Sequence, residues 1–365
     1  MQVGTEHEYS INDKEFSPLP ISDKIIKGIS GSVEHEVGLG EVKISKELQK
    51  HVLELIPSRP GSLGFLEDRL YKGLLQLYRV TGHRYKFLGL GMHPLLKLSQ
   101  TSHWDHEEQE YYQAYHRLFN IRQHGWLNIQ ALQINVPYEG DELVPRFNRL
   151  RSLLPYLVAV SASSPFVEGR LATHMDCRLI CYRENQRRIP LICNDILPER
   201  LSSLEEYVGI NREIFRELKD CGAEILCQEW VNSRGVIVRF SRQCLEVKAI
   251  DEQECLKSDM AVAAFMLALL RSDPPLEEEE GALRSLLEEA MRGGTLGLKP
   301  ELARLYKEAE RMATREEMAY LPLVGRRIEQ GSLAELLAQR FREGCGLRSM
   351  LEDIERALKE NDPCQ

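Results

Sequence analysis

The chain has 365 residues, 43% hydrophobic and 28% charged, the make-up of an ordinary soluble globular protein with room for a sizeable core. Its formal charge of −9 argues against a nucleic-acid-binding surface as its main business, though it is compatible with a local basic pocket for a small anion. Nine cysteines with no Cys-x-x-Cys pair and no zinc-like spacing point to a reducing compartment, with thiols used as small core residues. The chain opens on a strand-like segment without a leader-like stretch. Its longest apolar run, residues 260–270, has 11 residues, too few to span a bilayer, so it predicts a buried helix. A cytoplasmic protein without membrane contact is the expectation.

The first ten residues alternate as a strand would. Glu6 and Glu8 fall on one face with Gly4, and Val3, Thr5, His7 and Tyr9 on the other. Two carboxylates about 7 Å apart on one strand face repel each other. A hard divalent cation with oxygen ligands would remove that cost; in the plainer reading the face is merely solvated. Residues 11–40, polar with Pro18, Pro20 and several glycines, predict loop with short extended pieces. Residues 53–56 predict a strand that presents Glu54 opposite Leu53 and Leu55, closed by Pro57 and Pro60. Leu63, Leu66, Leu70, Leu74, Leu77 and Tyr78 recur at helical spacing within 62–81, and 86–92 predicts a glycine-bearing strand. Residues 99–126 predict an amphipathic helix with surface histidines, since His103, His106, His116 and His124 match no zinc spacing.

Residues 127–138 predict a strand with one face running Leu127, Ile129, Ala131, Gln133, Asn135, from apolar to amide. Buried amides need partners, and a ligand is one candidate beside an ordinary polar strand end. A helix is predicted over 147–161. Ser203 and Glu206 form a capping-box pattern that opens a helix through Leu218, ended by Cys221 and Gly222. Strands at 224–231, 235–240 and 243–250 have the short connections of antiparallel hairpins, and in the last one Cys244, Glu246, Lys248 and Ile250 share a face. Pro274, Pro275 and four consecutive glutamates mark a boundary or solvated hinge, dividing the chain into 1–272 and 273–365. Residues 282–361 predict four or five helices that close over or flank the sheet.

Four carboxylates therefore stand at strand positions in separate segments: Glu6, Glu8, Glu54 and Glu246. Antiparallel strands could gather them on one concave surface. Magnesium held by carboxylates usually sits beside substrate phosphates, which Arg178, Arg239 and Lys248 could neutralise. Spacing alone leaves metal-dependent phosphoryl chemistry and a solvated acidic face both open.

Six motifs follow one another in register over roughly residues 1–270: Gly4-Thr-Glu-His-Glu8, Gly91-Met-His-Pro94, Gln133-Ile-Asn135, the 154–166 stretch ending Ser161-Ala-Ser-Ser-Pro-Phe166 with Glu168-Gly169, Thr173 to Arg178, and Leu245-Glu-Val-Lys-Ala-Ile-Asp251. Together they resemble the glutamate–cysteine ligase type 2 family of carboxylate–amine ligases. The resemblance implies an α+β, glutamine-synthetase-like fold: an antiparallel β-sheet funnel flanked by helices, here with a helical C-terminal region. It implies ATP and two or three Mg2+ ions as cofactors, with small-molecule partners, an amino-acid carboxylate and an amine; a homo-oligomer is compatible with it. The implied reaction phosphorylates the carboxylate to an acyl phosphate, which the amine converts to an amide.

By the same match, Glu6, Glu8, Glu54 and Glu246 would ligate metal, Arg178 and Arg239 would be the catalytic clamps on phosphate or carboxylate, and Gln133, Asn135 and Lys248 would lie in the nucleotide and substrate site. Three positions depart from the family pattern. Lys248 replaces an arginine and cannot reproduce its bidentate contact, Thr173 is followed by His174 rather than glycine, and Val167 replaces an aromatic residue. A regulatory relative that binds nucleotide or amino acid without turnover is the alternative.

Overall fold

The computed structural model describes residues 1–272 and 274–364. In chain order the elements are β1 (Gly4–Asn12), α1 (Ser22–Ser30), β2 (Glu36–Leu39), β3 (Val42–Lys46), β4 (Val52–Pro57), α2 (Leu63–Val80), β5 (Lys86–Leu88), α3 (Gln109–Phe119), α4 (His124–Leu127) and β6 (Ala131–Pro137). After these come α5 (Leu143–Ser161), the hairpin β7 (Phe166–Val167) and β8 (Arg170–Leu171), α6 (Cys177–Glu184), α7 (Leu204–Asp220), β9 (Val236–Arg239), β10 (Cys244–Asp251) and α8 (Leu256–Arg271). Five more helices close the chain: α9 (Glu280–Gly293), α10 (Lys299–Met312), α11 (Leu321–Gln330), α12 (Leu333–Arg342) and α13 (Leu347–Glu360).

Eight strands form one antiparallel sheet in the order β2-β3-β4-β1-β6-β10-β9, with β5 paired to the far end of β1. This is the predicted α+β architecture. β1 is central and nearly every residue of it is buried, so both of its faces need partners. Behind the sheet, Tyr9, Leu53, Leu55, Leu132, Ile134 and Val247 pack into one apolar core with α2, α5 and α8. Leu283, Met291, Leu302 and Val324 of the C-terminal helices join that core, so residues 280–330 are built onto the sheet's backing. α8 is apolar all round and buried from Met260 to Leu269, which is why its sequence shows no polar stripe. In front, a second core gathers Tyr115, Trp126, Ile192, Ile214 and Leu226 around α3, α4 and α7.

Several expectations need correction. Residues 11–40 contain α1, whose Ile25 and Ile26 pack into the core, and β2. The strand expected at 86–92 ends at Leu88. Residues 99–126 supply α3 and the single turn α4, because Asn120 adopts a left-handed conformation and stops α3. Leu127 belongs to α4 instead of the following strand. Residues 224–231 are two 3-10 turns rather than a strand, with the N–H groups of Leu226, Cys227, Gln228 and Val231 bonded to carbonyls two or three residues back. Ser203 caps α7 as expected, but the Glu206 carboxylate reaches back to Ser202 (2.6 Å) instead of closing the box on Ser203.

The register of β10 shifts between Val247 and Ile250, which face Ile134 and Leu132 of β6. This bulge turns Ile250 to the apolar back and frees Ile250 from the face of Glu246, contrary to simple alternation. It also brings Asp251 opposite Ala131, on the front.

Candidate active site

Four neighbouring strands, β4-β1-β6-β10, build the site's floor. Register sets Glu54 directly opposite Glu8, Gln133 opposite Glu6, and Asn135 between Gly4 and Glu246. All six polar side chains therefore share the front face. The four expected carboxylates are brought together and buried, at 6% exposure or less. The two amides orient them: Gln133 Nε2 donates to Glu8 Oε1 (3.1 Å) and Asn135 Nδ2 to Glu6 Oε1 (2.7 Å). The polar turn of the β6 face thus has a partner on the next strand.

The row divides electrostatically. At one end Glu246 is clamped by Arg239, and Lys248 Nζ stands 3.4 Å from its other oxygen. Arg242, from the β9–β10 turn, pairs with Glu6 and lies 4.0 Å from Glu246. Burial opposes ionisation of Glu246, but Lys248, Arg239 and Arg242 outweigh it and hold the carboxyl below the usual range. Arg239 is fixed from behind by Glu229 at 3.2 Å.

At the other end Glu8, Glu54 and Glu47 gather with carboxylate oxygens within 4.8 Å of one another. Glu8 accepts the Ala131 N–H (2.9 Å), whereas Glu54, 5% exposed, has the Glu6 carboxyl as its side-chain hydrogen-bond neighbour and, among the described residues, no lysine or arginine paired with it. Burial first, then the neighbouring carboxylates, push Glu8 and Glu54 well above the ordinary range. Glu47 is raised by burial as well, with Lys46 opposing. Three crowded carboxylates, Glu8 and Glu54 on paired strands and Glu47 in the adjoining turn, fit a hard cation with oxygen ligands.

Two cavities adjoin the row. One of about 340 Å³ lies past the start of β1, lined by Gly4, Glu6, Lys43, Pro57, Arg59 and Arg242. The other, about 490 Å³, has Glu47, Gln133, Arg239, Glu246 and Lys248 at its floor. Its wall is aromatic: Tyr115 and Trp126 lie 4.8 Å apart and Tyr111 and Trp230 5.6 Å, centroid to centroid. Arg242 borders both cavities.

Arg178 is placed differently from Arg239. It is 2% exposed, its Nε donates to Asp251 Oδ1 (2.5 Å) and its Nη1 to the Lys248 carbonyl (3.4 Å), leaving only Nη2 without a partner. Asp251 Oδ2 accepts from the Ser163 N–H (2.9 Å) and the Ser164 hydroxyl (2.7 Å). A Cβ on Gly91 would come within 2.2 Å of the Asp251 carboxyl, so that backbone must be bare. Gly91, Ser163, Ser164, Arg178 and Asp251, from four separate motifs, thus converge on one buried ion pair that anchors the end of β10.

Sequence reasoning missed Glu47, Arg242 and the anchoring role of Asp251. Glu47 sits in the turn before β4, where no periodicity marks it. Arg242 had a usable signal: a basic residue in a tight turn next to Glu246 must stand close to it.

The family model described as glutamate-cysteine ligase family 2 matches residues 2–360. A protein of Archaeoglobus fulgidus described as uncharacterized is 50% identical over 365 residues, 99% of each chain. A putative glutamate–cysteine ligase of Rubrobacter xylanophilus is 29% identical over 124 residues, 33% of this chain and 29% of that protein. Among solved structures, glutamate–cysteine ligase from Francisella tularensis in complex with AMP aligns with a TM-score of 0.72 at 14% identity, over 99% of this chain and 88% of that one. A bifunctional glutathione synthetase from Pasteurella multocida gives 0.61 at 14% identity, covering 99% of this chain and 52% of that one. The ligase of the prokaryotic ubiquitin-like protein Pup, in complex with it, gives 0.51 at 11% identity, covering 95% and 69%. These likenesses share the fold, and the family match supports a ligase of the carboxylate–amine class. The chain belongs to glutamate–cysteine ligase family 2.

Proposed function

We propose that the chain is an ATP- and magnesium-dependent carboxylate–amine ligase that forms an amide through an acyl phosphate, most simply joining the γ-carboxylate of glutamate to the amine of cysteine. The observation that carries this reading is the row of buried carboxylates on β4, β1 and β10, with amides between them and three cations at one end. The AMP in the Francisella structure supports a nucleotide beside this sheet.

Glu8, Glu47 and Glu54, with Glu6 and Glu246, would hold the metal, which when bound offsets phosphate charge and favours phosphoryl transfer. Gln133 and Asn135 keep the carboxylates aimed at the front. Arg239, Arg242 and Lys248 are positioned to exchange Glu6 and Glu246 for phosphate oxygens, with Arg239 pre-set by Glu229. Attack by the donor carboxylate on the γ-phosphorus releases ADP and gives the acyl phosphate. Attack of the amine on the acyl carbon expels phosphate and, after proton loss, leaves the amide. The aromatic wall around Tyr115 and Trp126 keeps water from the acyl phosphate. Arg178 acts through β10 as a positioning residue.

Release of ADP and phosphate by the purified full chain tests the reading, over paired carboxylic acids and amines that include glutamate with cysteine and glutamate with aromatic amines. Release that requires both partners is expected; none over the panel, with Mg–ATP binding retained, would select the non-catalytic regulatory reading. One observation favours that second reading. Lys248 meets Glu246 through a single ammonium contact where relatives carry a forked guanidinium.

A further inference from the structure

The back face of β1 carries a cluster that the ligase chemistry does not use. His7 points away from Glu6 and Glu8 into the core, where Glu252, just past β10, and Asp259, in the first turn of α8, converge on it. All three are 0% exposed. His7 Nδ1 lies 3.2 Å from Asp259 Oδ2 and 3.5 Å from Glu252 Oε1. Neither approach has hydrogen-bonding direction. Both His7 nitrogens, both Asp259 oxygens, Glu252 Oε1 and the Tyr9 hydroxyl lack a hydrogen-bond partner among the described residues. Six such buried atoms in one spot call for an occupant, because each buried unpaired polar group costs about 1–3 kcal/mol.

Charge and spacing identify that occupant. Among the described residues no lysine or arginine pairs with Glu252 or Asp259, whereas neighbouring Glu254 has Arg327 at 2.9 Å. With the imidazole neutral, as a metal ligand must be, the two carboxylates require two positive charges for a neutral interior. Side-chain atoms bound at about 2.1 Å to one tetrahedral ion lie about 3.4 Å apart, which the 3.2 and 3.5 Å separations match. Groups at hydrogen-bond distance that do not point at one another are arranged as ligands around a common centre. One imidazole and two carboxylates suit a borderline divalent ion such as zinc better than magnesium, which prefers oxygen and retains its water.

We propose that His7, Glu252 and Asp259 form a structural site for a divalent transition metal, with Tyr9 beside it, behind the catalytic sheet. Glu252 Oε2 also accepts the Glu8 N–H (3.0 Å), so the ion would pin β1, at the residue that carries a front-face carboxylate, to the start of α8. Being enclosed, the site fills as the chain folds, and stability depends on the ion.

The test refolds the full chain with and without Zn2+ or Co2+, removes loosely held metal with chelator, and reads metal content, Tm and the visible cobalt spectrum. The expected result is one chelator-resistant equivalent per chain, a raised Tm and a low-symmetry cobalt spectrum with a nitrogen ligand. Glu54→Gln keeps all three; His7→Gln and Asp259→Asn lose the equivalent. No retained metal and an unchanged Tm in the wild type would overturn the proposal, leaving two protons in place of the ion. So would an equivalent lost in Glu54→Gln and kept in His7→Gln. Should the core variants fail to fold, metal content and the cobalt spectrum of the wild type decide.

Discussion

The two ends of the acidic row are built from the same residue type on the same sheet face, yet they sit in opposite electrostatic states. Glu246 and Glu6 are already neutralised by Arg239, Arg242 and Lys248, while Glu8, Glu47 and Glu54 face one another. The difference comes from chain connection rather than composition. The end of β9, the β9–β10 turn and β10 deliver Arg239, Arg242 and Lys248 to one end of the row, and the turn before β4 delivers another carboxylate to the other. In the proposed reaction one end would release cations to an arriving phosphate and the other would receive a metal.

Glu54→Gln should break this contrast most severely. Turnover should fall at least about 100-fold, the loss typical of one electrostatic contact in a transition state. In chelator, the same variant should gain on the order of 1 kcal/mol of stability, because it removes one of the mutually repelling carboxylates. Urea unfolding reads the second effect, and a loss of stability there would mean that Glu54 is satisfied in a way the geometry does not show. Arg239→Met attacks the opposite end. It strips the main clamp from a buried carboxylate and should cost about 3 kcal/mol by the same measurement; a near-neutral outcome would show that Lys248 alone compensates Glu246.

A pH series in chelator should separate the two ends by sign. The Glu54 carboxyl is raised in the fold, so its contribution is present below the ordinary value of 4.5 and is lost as pH rises through the folded value. The stability gain of Glu54→Gln over wild type should therefore grow above pH 4.5. Glu246 is depressed, so its contribution is present above 4.5 and lost as pH falls through the folded value. The wild-type advantage over Glu246→Gln should shrink below pH 4.5; parallel profiles for the two pairs would erase the distinction. Arg242→Ala should have the smallest effect on stability, within about 1 kcal/mol, because its side chain is 45% exposed. It should still raise the KM for ATP, and an unchanged KM would remove Arg242 from the phosphate-binding set.

Much of the front face was legible in the chain. Strand alternation placed Glu6 and Glu8 together, Glu54 opposite its leucines, and Gln133 with Asn135, and antiparallel pairing then needed only the right register. α2 and α7 could be read for the same reason, since an amphipathic period and a capping serine are local signals. The β10 alternation failed after Val247 because a bulge is set by the competing pairings with β6 and β9, which the strand's own sequence does not contain. Residues 224–231 have a strand-like composition, but turn hydrogen bonds and the apolar front core claimed them.

The sequence by itself determined which residues carry charge on the sheet face, which helices are amphipathic, and that one strand, β1, bears ionisable groups on both sides. Tertiary structure alone decided which carboxylates are neutralised. Glu47 and Arg242 come from turns, and Arg178 is committed to Asp251 from an element 73 residues away in sequence. Charge state in a buried site depends on distance and desolvation, and neither is encoded by the spacing of residues along a strand.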